Sequence, residues 1–198
     1  MTPLVFQTYW DKNFQDCPPI NHVFKLRFTE SWFRIHSLPD AKRYATTDAE
    51  RLEILHRQNT LLHELADDIG TRIFLVTGGY AFKDNASDTF PAHKSLDKYA
   101  FQDLELLDLN AVLPDYYDED IVYRPAFAAT EWQNKGEFND LLTAIADDEL
   151  RVFFILPAGK ILFAPYDGGV DIVVFDDEKR AFLKKKFADW LPKREDGL

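Results

Sequence analysis

Three apolar runs, RVFFIL (151–156), KILFAPY (160–166) and VDIVVF (170–175), are separated only by Pro157-Ala158-Gly159 and Asp167-Gly168-Gly169. Connections this short leave no room for the crossover that parallel neighbours need, and Pro, Gly and Asp supply the turn backbone, so the runs must pair as antiparallel hairpins. A three-stranded meander is therefore expected, and the rest of the chain has to cover it.

Upstream, helical and extended patterns alternate. Thr2 and Pro3 read as N-cap and first helical position, with Phe6, Trp10 and Phe14 recurring on one face. HVFKLRF (22–28) reads as a half-buried strand with His22, Phe24, Leu26 and Phe28 inward, and WFRI (32–35) as the strand returning from it through Thr29-Glu30-Ser31. Thr47-Asp48-Ala49-Glu50 is a capping box opening the strongest helix of the chain, whose expected inner stripe is Leu52, Leu55, Asn59, Leu62, Ala66 and Ile69, with Gly70 as the stop. RIFLVT (72–77) reads as a buried strand closed by Gly78-Gly79, and IVYRPAFAAT (121–130) as a strand in which Pro125 marks an edge or a bulge. Between them only a short helix around Leu104 is expected. GEFNDLLTAIADDE reads as a helix with Phe138, Leu141, Leu142 and Ile145 inward, and Asp176 caps a last helix carrying Leu183, Phe187, Trp190 and Leu191. The expected fold class is α+β: an antiparallel or mixed sheet with helices packed against it, in a single domain over 1–198.

The composition supports a packed core. The chain has 198 residues, 46% of them hydrophobic, and its 17 phenylalanines argue against disorder. Cys17 is the only cysteine, so neither an internal disulfide nor a multi-thiolate zinc site can form, and a reducing compartment fits. MTPLVFQTYWDKNF lacks the features of a signal peptide, and no apolar run approaches the roughly 20 residues of a membrane helix. A soluble, cytoplasmic protein without membrane contact is the expectation. Asn85-Ala86-Ser87 matches a glycosylation sequon, which matters only in a secreted protein.

The net charge is −11, from 34 acidic and 23 basic residues, and it is concentrated. Ten acidic residues between Asp84 and Asp120 face only Lys94 and Lys98. Such a chain is a poor binder of nucleic acid, whose affinity comes from Lys and Arg releasing phosphate counterions. A basic protein is the better-matched partner, and Asp115, Tyr116, Tyr117, Asp118, Glu119 and Asp120 are the candidate contact residues, combining charge with tyrosine anchors.

Against that background, RIHSLPDAKRYATT (34–47) is basic. Arg34 and His36, two apart at the end of a strand, point to the same side, while Lys42, Arg43 and Tyr44 lie just before the helix start at Thr47. With Ser37 they form a candidate anion pocket beside free helix N–H groups. The competing reading pairs Arg34 and Arg43 with the protein's own carboxylates, and no glycine-rich phosphate loop accompanies the cluster. Asp167 and Asp171 flank the YDGGVD turn as candidate catalytic carboxylates, although Asp-Gly-Gly is also what a tight turn requires. His56 and His63 stand two helical turns, roughly 10 Å, apart, too far to share a metal ion. His63 with Asp67 reads as a surface pair, and DYYDED lacks the ligand spacing of an EF-hand. No metal site, cofactor or catalytic motif is expected from these patterns.

Asn13-Phe14, Pro18-Pro19, FKLRF, WFRIHSLPDAKRYATT, ILHRQN, PYDGGVDIVV and DWLPKREDGL together resemble a bacterial domain family of unknown function. The resemblance implies a cytoplasmic α+β domain of about this length, with no activity to carry onto particular residues. By composition the chain also looks like the immunity proteins that block basic toxins. The leading expectation is a non-enzymatic, immunity-like binding protein for a basic partner. The alternative is a small enzyme or ligand-binding domain that holds a phosphorylated or carboxylate compound at the 34–44 cluster.

Overall fold

The C-terminal meander forms the middle of an eight-stranded antiparallel sheet in a computed structural model that describes residues 1–66, 68–84, 91–194 and 197. Its strands are β6 (Val152–Leu156), β7 (Ile161–Tyr166) and β8 (Gly169–Val173). β1 (Trp32–His36) pairs with β8, and β2 (Arg72–Phe82) joins β6 to β5 (Ile121–Glu131). Two short strands, β3 (Gln102–Asp103) and β4 (Leu107–Asp108), edge β5, giving the order β1-β8-β7-β6-β2-β5-β3 with β4 also on β5. The architecture is α+β, as the alternation of patterns requires.

Helices cover both faces, which explains why the central strands read as continuous apolar runs instead of alternating ones. On one face, α3 (Asp48–Leu65), α5 (Asn139–Ala146) and α6 (Asp177–Lys186) bury Leu61, Leu62, Leu65, Leu141, Leu142, Ile145 and Leu183 against Ile35, Leu75, Phe154 and Phe163. On the other, α1 (Pro3–Asn13) and α2 (Phe24–Arg27) press Phe6, Trp10, Phe14 and Phe24 onto Phe74, Phe127, Phe153 and Leu162. Phe6 stacks on Phe127 at 4.4 Å between ring centroids, and Phe24 meets Phe153 edge-on at 5.0 Å.

Several local expectations are corrected. HVFKLRF is helical: a 3-10 turn at Asn21–Val23 runs into α2, so WFRI returns from a helix and not from a strand. Phe24 and Phe28 satisfy a four-residue repeat as well as a two-residue one, and packing of Phe24 against Trp10, with Val23 buried in the same cluster, decides for the helix, leaving Leu26 exposed. The inner face of α3 is wider than the expected stripe and shorter along the helix. Asn59, Leu62 and Ala66 are buried and Leu55 packs against the core as expected, Ile54, Gln58, Leu61 and Leu65 are buried beside them, Leu52 and Ile69 are exposed, and the helix ends at Leu65, before Gly70. Thr47 caps Glu50 N–H as expected, while the Glu50 carboxylate accepts from Thr46 N–H at 2.7 Å, one residue further out.

β2 does not stop at its glycines. Gly78 continues the strand because the Tyr123 ring lies across it; a Cβ there would stand 2.5 Å from Arg124 O and 2.6 Å from Tyr123 Cζ. Pro125 falls in the gap between β3 and β4, where its missing N–H breaks no ladder and its carbonyl accepts from Leu104 N–H. The helix expected around Leu104 lies later, as α4 (Leu109–Val112), because Asp108 caps Ala111 N–H. Asp67 and the Asn85 sequon lie outside the described residues.

Candidate functional site

Beside α2, the strands β1, β7 and β8 carry polar groups on the sheet face. Asp171 on β8 stands in register between Arg34 on β1 and Ala164 on β7. Arg34 grips Asp171 with two nitrogens, Nε to Oδ1 at 2.7 Å and Nη2 to Oδ2 at 3.0 Å. The guanidinium also lies over the rings of Tyr166 at 4.8 Å and Trp32 at 5.6 Å. Small Ala164 leaves a cleft of about 230 Å³ in front of this pair, walled by His22, Lys25, Arg43, Asp148, Arg151, Tyr166 and Asp167.

The sequence cluster 34–44 divides around this cleft. Arg34 and Arg43 line it. Arg43 pairs through Nε with the carboxylate of buried Asp167 and lies over the Tyr44 ring at 5.2 Å. Hydrogen bonding to Asp167 holds the exposed Tyr44 phenol above its ordinary value. Lys42 turns away to Glu50 at 2.5 Å and Thr46 at 2.8 Å. The lysine's hydrogen bond holds the Glu50 carboxyl down at about 2. Ser37 is buried and accepts from Gln58 on α3. His36 opens onto a different depression, beside Arg57 and Trp190, and burial followed by the charges of Arg34 and Arg57 lowers its pKa. Two of the six candidate residues therefore share the cleft, and both are ion-paired to the carboxylates flanking the Asp167-Gly168-Gly169 turn.

The remaining walls come from positions the sequence reading passed over. Lys25 and Arg151 make no ion pair among the described residues. His22 reaches Tyr117 Oη with Nε2 at 2.9 Å and stands 3.5 Å from Tyr80 Oη with Nδ1. Burial, then the charges of Arg151 and Lys25, pushes its pKa below the ordinary value. Tyr80 and Tyr123 pack at 5.0 Å and Tyr80 and Tyr117 at 6.0 Å, forming an aromatic shelf beside the cleft. Tyr166 is pushed up to about 12, chiefly by burial. A strand assignment for 22–28 hid His22 and Lys25, because it set them on opposite faces. The 3-10 turn and helix bring them to one wall.

Tyr117 ties the acidic segment to this site. Asn110 Nδ2 donates to Tyr117 O, Tyr116 N–H to Leu113 O and Lys83 N–H to Asp120 O, so the 115–120 loop is held at both ends. Asp115, Asp118, Glu119 and Asp120 are exposed and make no ion pair among the described residues, and Tyr116 is also exposed. The two regions singled out in the sequence thus meet at His22.

Among the described residues no group of three or more His, Cys, Asp or Glu is placed to hold a metal ion, and no helix is long and apolar enough to cross a membrane. The Cys17 thiol, buried beneath Trp10, is pushed up to about 12 by burial and so is a poor nucleophile. His56 and His63 pack near Trp190 and Trp132. No curated protein and no solved structure matches the chain. A family model does match, over residues 20–195, from the 3-10 turn carrying His22 to beyond the last helix. Every residue of the cleft lies within that span, and the chain belongs to the family described as Domain of unknown function (DUF3885).

Proposed function

We propose that the protein binds a small anionic compound, phosphorylated or carboxylate, in the cleft between α2 and the sheet. The observation that carries this reading is the pair Lys25 and Arg151. Both line the cleft, and neither makes an ion pair among the described residues of a chain with a large acidic excess. Arg34 and Arg43 line the same space in fixed orientations set by Asp171 and Asp167, so a ligand meets cations that need little reordering. The volume lies below the roughly 300–1,000 Å³ of sites for drug-sized ligands, which favours a small compound.

A thermal melt against nucleotides, sugar phosphates, pyrophosphate and common carboxylates tests this. Ligand at about a hundred times its dissociation constant adds roughly 2.7 kcal/mol, which raises the midpoint of a chain this size by about 5–10 °C. One compound class is expected to give such a shift, and Arg151→Gln to abolish it. Flat midpoints across the whole set would overturn the reading.

A second reading rests on a separate observation, the exposed and uncompensated carboxylates Asp115, Asp118, Glu119 and Asp120 beside Tyr116 on a tethered loop. It makes this rim a docking surface for a basic protein, in the manner of immunity proteins. The combined change Asp118→Asn, Glu119→Gln and Asp120→Asn is expected to weaken capture of basic proteins and reduce its salt dependence. Capture with the same yield and salt dependence contradicts it.

A further inference from the structure

His22 is exposed, and both of its ring nitrogens face phenols. One ring nitrogen stands 2.9 Å from the Tyr117 hydroxyl and the other 3.5 Å from the Tyr80 hydroxyl. A phenol oxygen can donate or accept, so the close Tyr117 contact suits a neutral ring and also an imidazolium that donates from Nε2. The neighbouring charges oppose the imidazolium. Lys25 from α2 and Arg151 from the head of β6 both act on the ring, and Asp148 is the carboxylate on the same cleft wall not engaged in an ion pair among the described residues.

An anion placed between Lys25 and Arg151 reverses that balance, because it screens the two cations and itself favours a positive ring. The placement of the donors also selects among anions. A carboxylate offers two coplanar oxygens, which one guanidinium can satisfy in a fork. A phosphate group presents three terminal oxygens around a tetrahedral centre and carries close to two charges near neutral pH. An ammonium and an imidazole from one continuous helical segment and a guanidinium from a strand end line the cleft together, more donors than the single fork of a carboxylate uses.

We infer that the cleft takes a phosphate-bearing compound and that His22 takes up a proton as the phosphate binds. This rests on the ligand reading above and adds to it the class of ligand and the residue that answers its charge. The proton comes from solvent and no covalent bond changes.

The test is a pH titration of the His22 ring by NMR, in the free protein, with saturating inorganic phosphate and with acetate. In the free protein His22 is expected to titrate below the ordinary histidine value of about 6.5. Phosphate is expected to raise that midpoint by about one unit or more, because it cancels opposing charges at close range. Acetate is expected to leave it in place. His22→Gln, which keeps a polar partner for Tyr117, should still bind phosphate but, at a pH between the free and bound midpoints, lose the proton-uptake signal that the wild-type protein gives in calorimetry across buffers of different ionisation enthalpy. If phosphate shifts Arg34 and Arg151 resonances while His22 stays neutral, the proton-uptake inference falls and the ligand reading stands. If acetate binds and phosphate does not, the phosphate assignment falls. If neither binds, both this inference and the ligand reading fall.

Discussion

Asp171→Ala is expected to lower stability by about 3–5 kcal/mol in a urea melt, because it strands a charge that the fold has already removed from water. Arg34 is 14% exposed and Asp171 7% at the side chain, and they are register neighbours on β1 and β8. Two oxygens meet two nitrogens, so no donor of the fork goes unanswered when Asp171 is present. Without it, the guanidinium remains between Trp32 and Tyr166 with its main acceptor gone. The double change Arg34→Met/Asp171→Leu has a different expected outcome. A buried ion pair exchanged for apolar side chains of similar volume is commonly neutral or stabilising, so the double variant should recover most of the loss. It should also fail to give the ligand-induced thermal shift. A large stability deficit in the double variant would assign the pair to folding and remove a support of the ligand account.

Trp10→Ala should cost about 3–5 kcal/mol, the range for losing a large buried aromatic. The indole is 2% exposed, contacts Phe6, Phe14, Phe24 and Phe153, and donates from Nε1 to Cys17 O at 2.7 Å. α1 lies before residue 20, where the family match begins, yet it supplies Phe6, Trp10 and Phe14 to the core on the face that bears the cleft. Removing residues 1–15 is therefore expected to destabilise the protein at least as much as Trp10→Ala does, measured by the same melt. A truncated chain as stable as the full one would show that α1 only decorates the fold.

How much of this was legible in the sequence depended on whether local pattern and tertiary contact agreed. The meander, α5 and the Asp176 cap were legible because turn chemistry and periodicity pointed the same way. At 22–28 they diverged: a seven-residue alternation that also contains Phe24 and Phe28 at a four-residue spacing is settled by what Phe24 packs against, which no local window holds. The same limit governed the site. Arg34, Arg43, Asp167 and Asp171 were visible as charged residues at turns and strand ends, but their pairing joins positions more than 120 apart in sequence. Lys25 and Arg151 gave no signal, since a lone cation at a helix or strand end looks like any solvated charge. His22 was misplaced together with its element. Tyr117 reads as an interface anchor in an acidic loop, and its contact with His22 on the cleft wall has no local signal because the two lie 95 residues apart.

The most direct measurement is calorimetric titration of inorganic phosphate into the wild-type protein and into Lys25→Gln/Arg151→Gln. Both side chains lie at the cleft mouth outside the packed core, so the melting midpoint should be unchanged. Loss of two charge-assisted contacts should weaken phosphate binding by about tenfold or more. That outcome is what the account predicts. Equal affinity in the two proteins would contradict it, because the uncompensated cations of the cleft would then hold nothing.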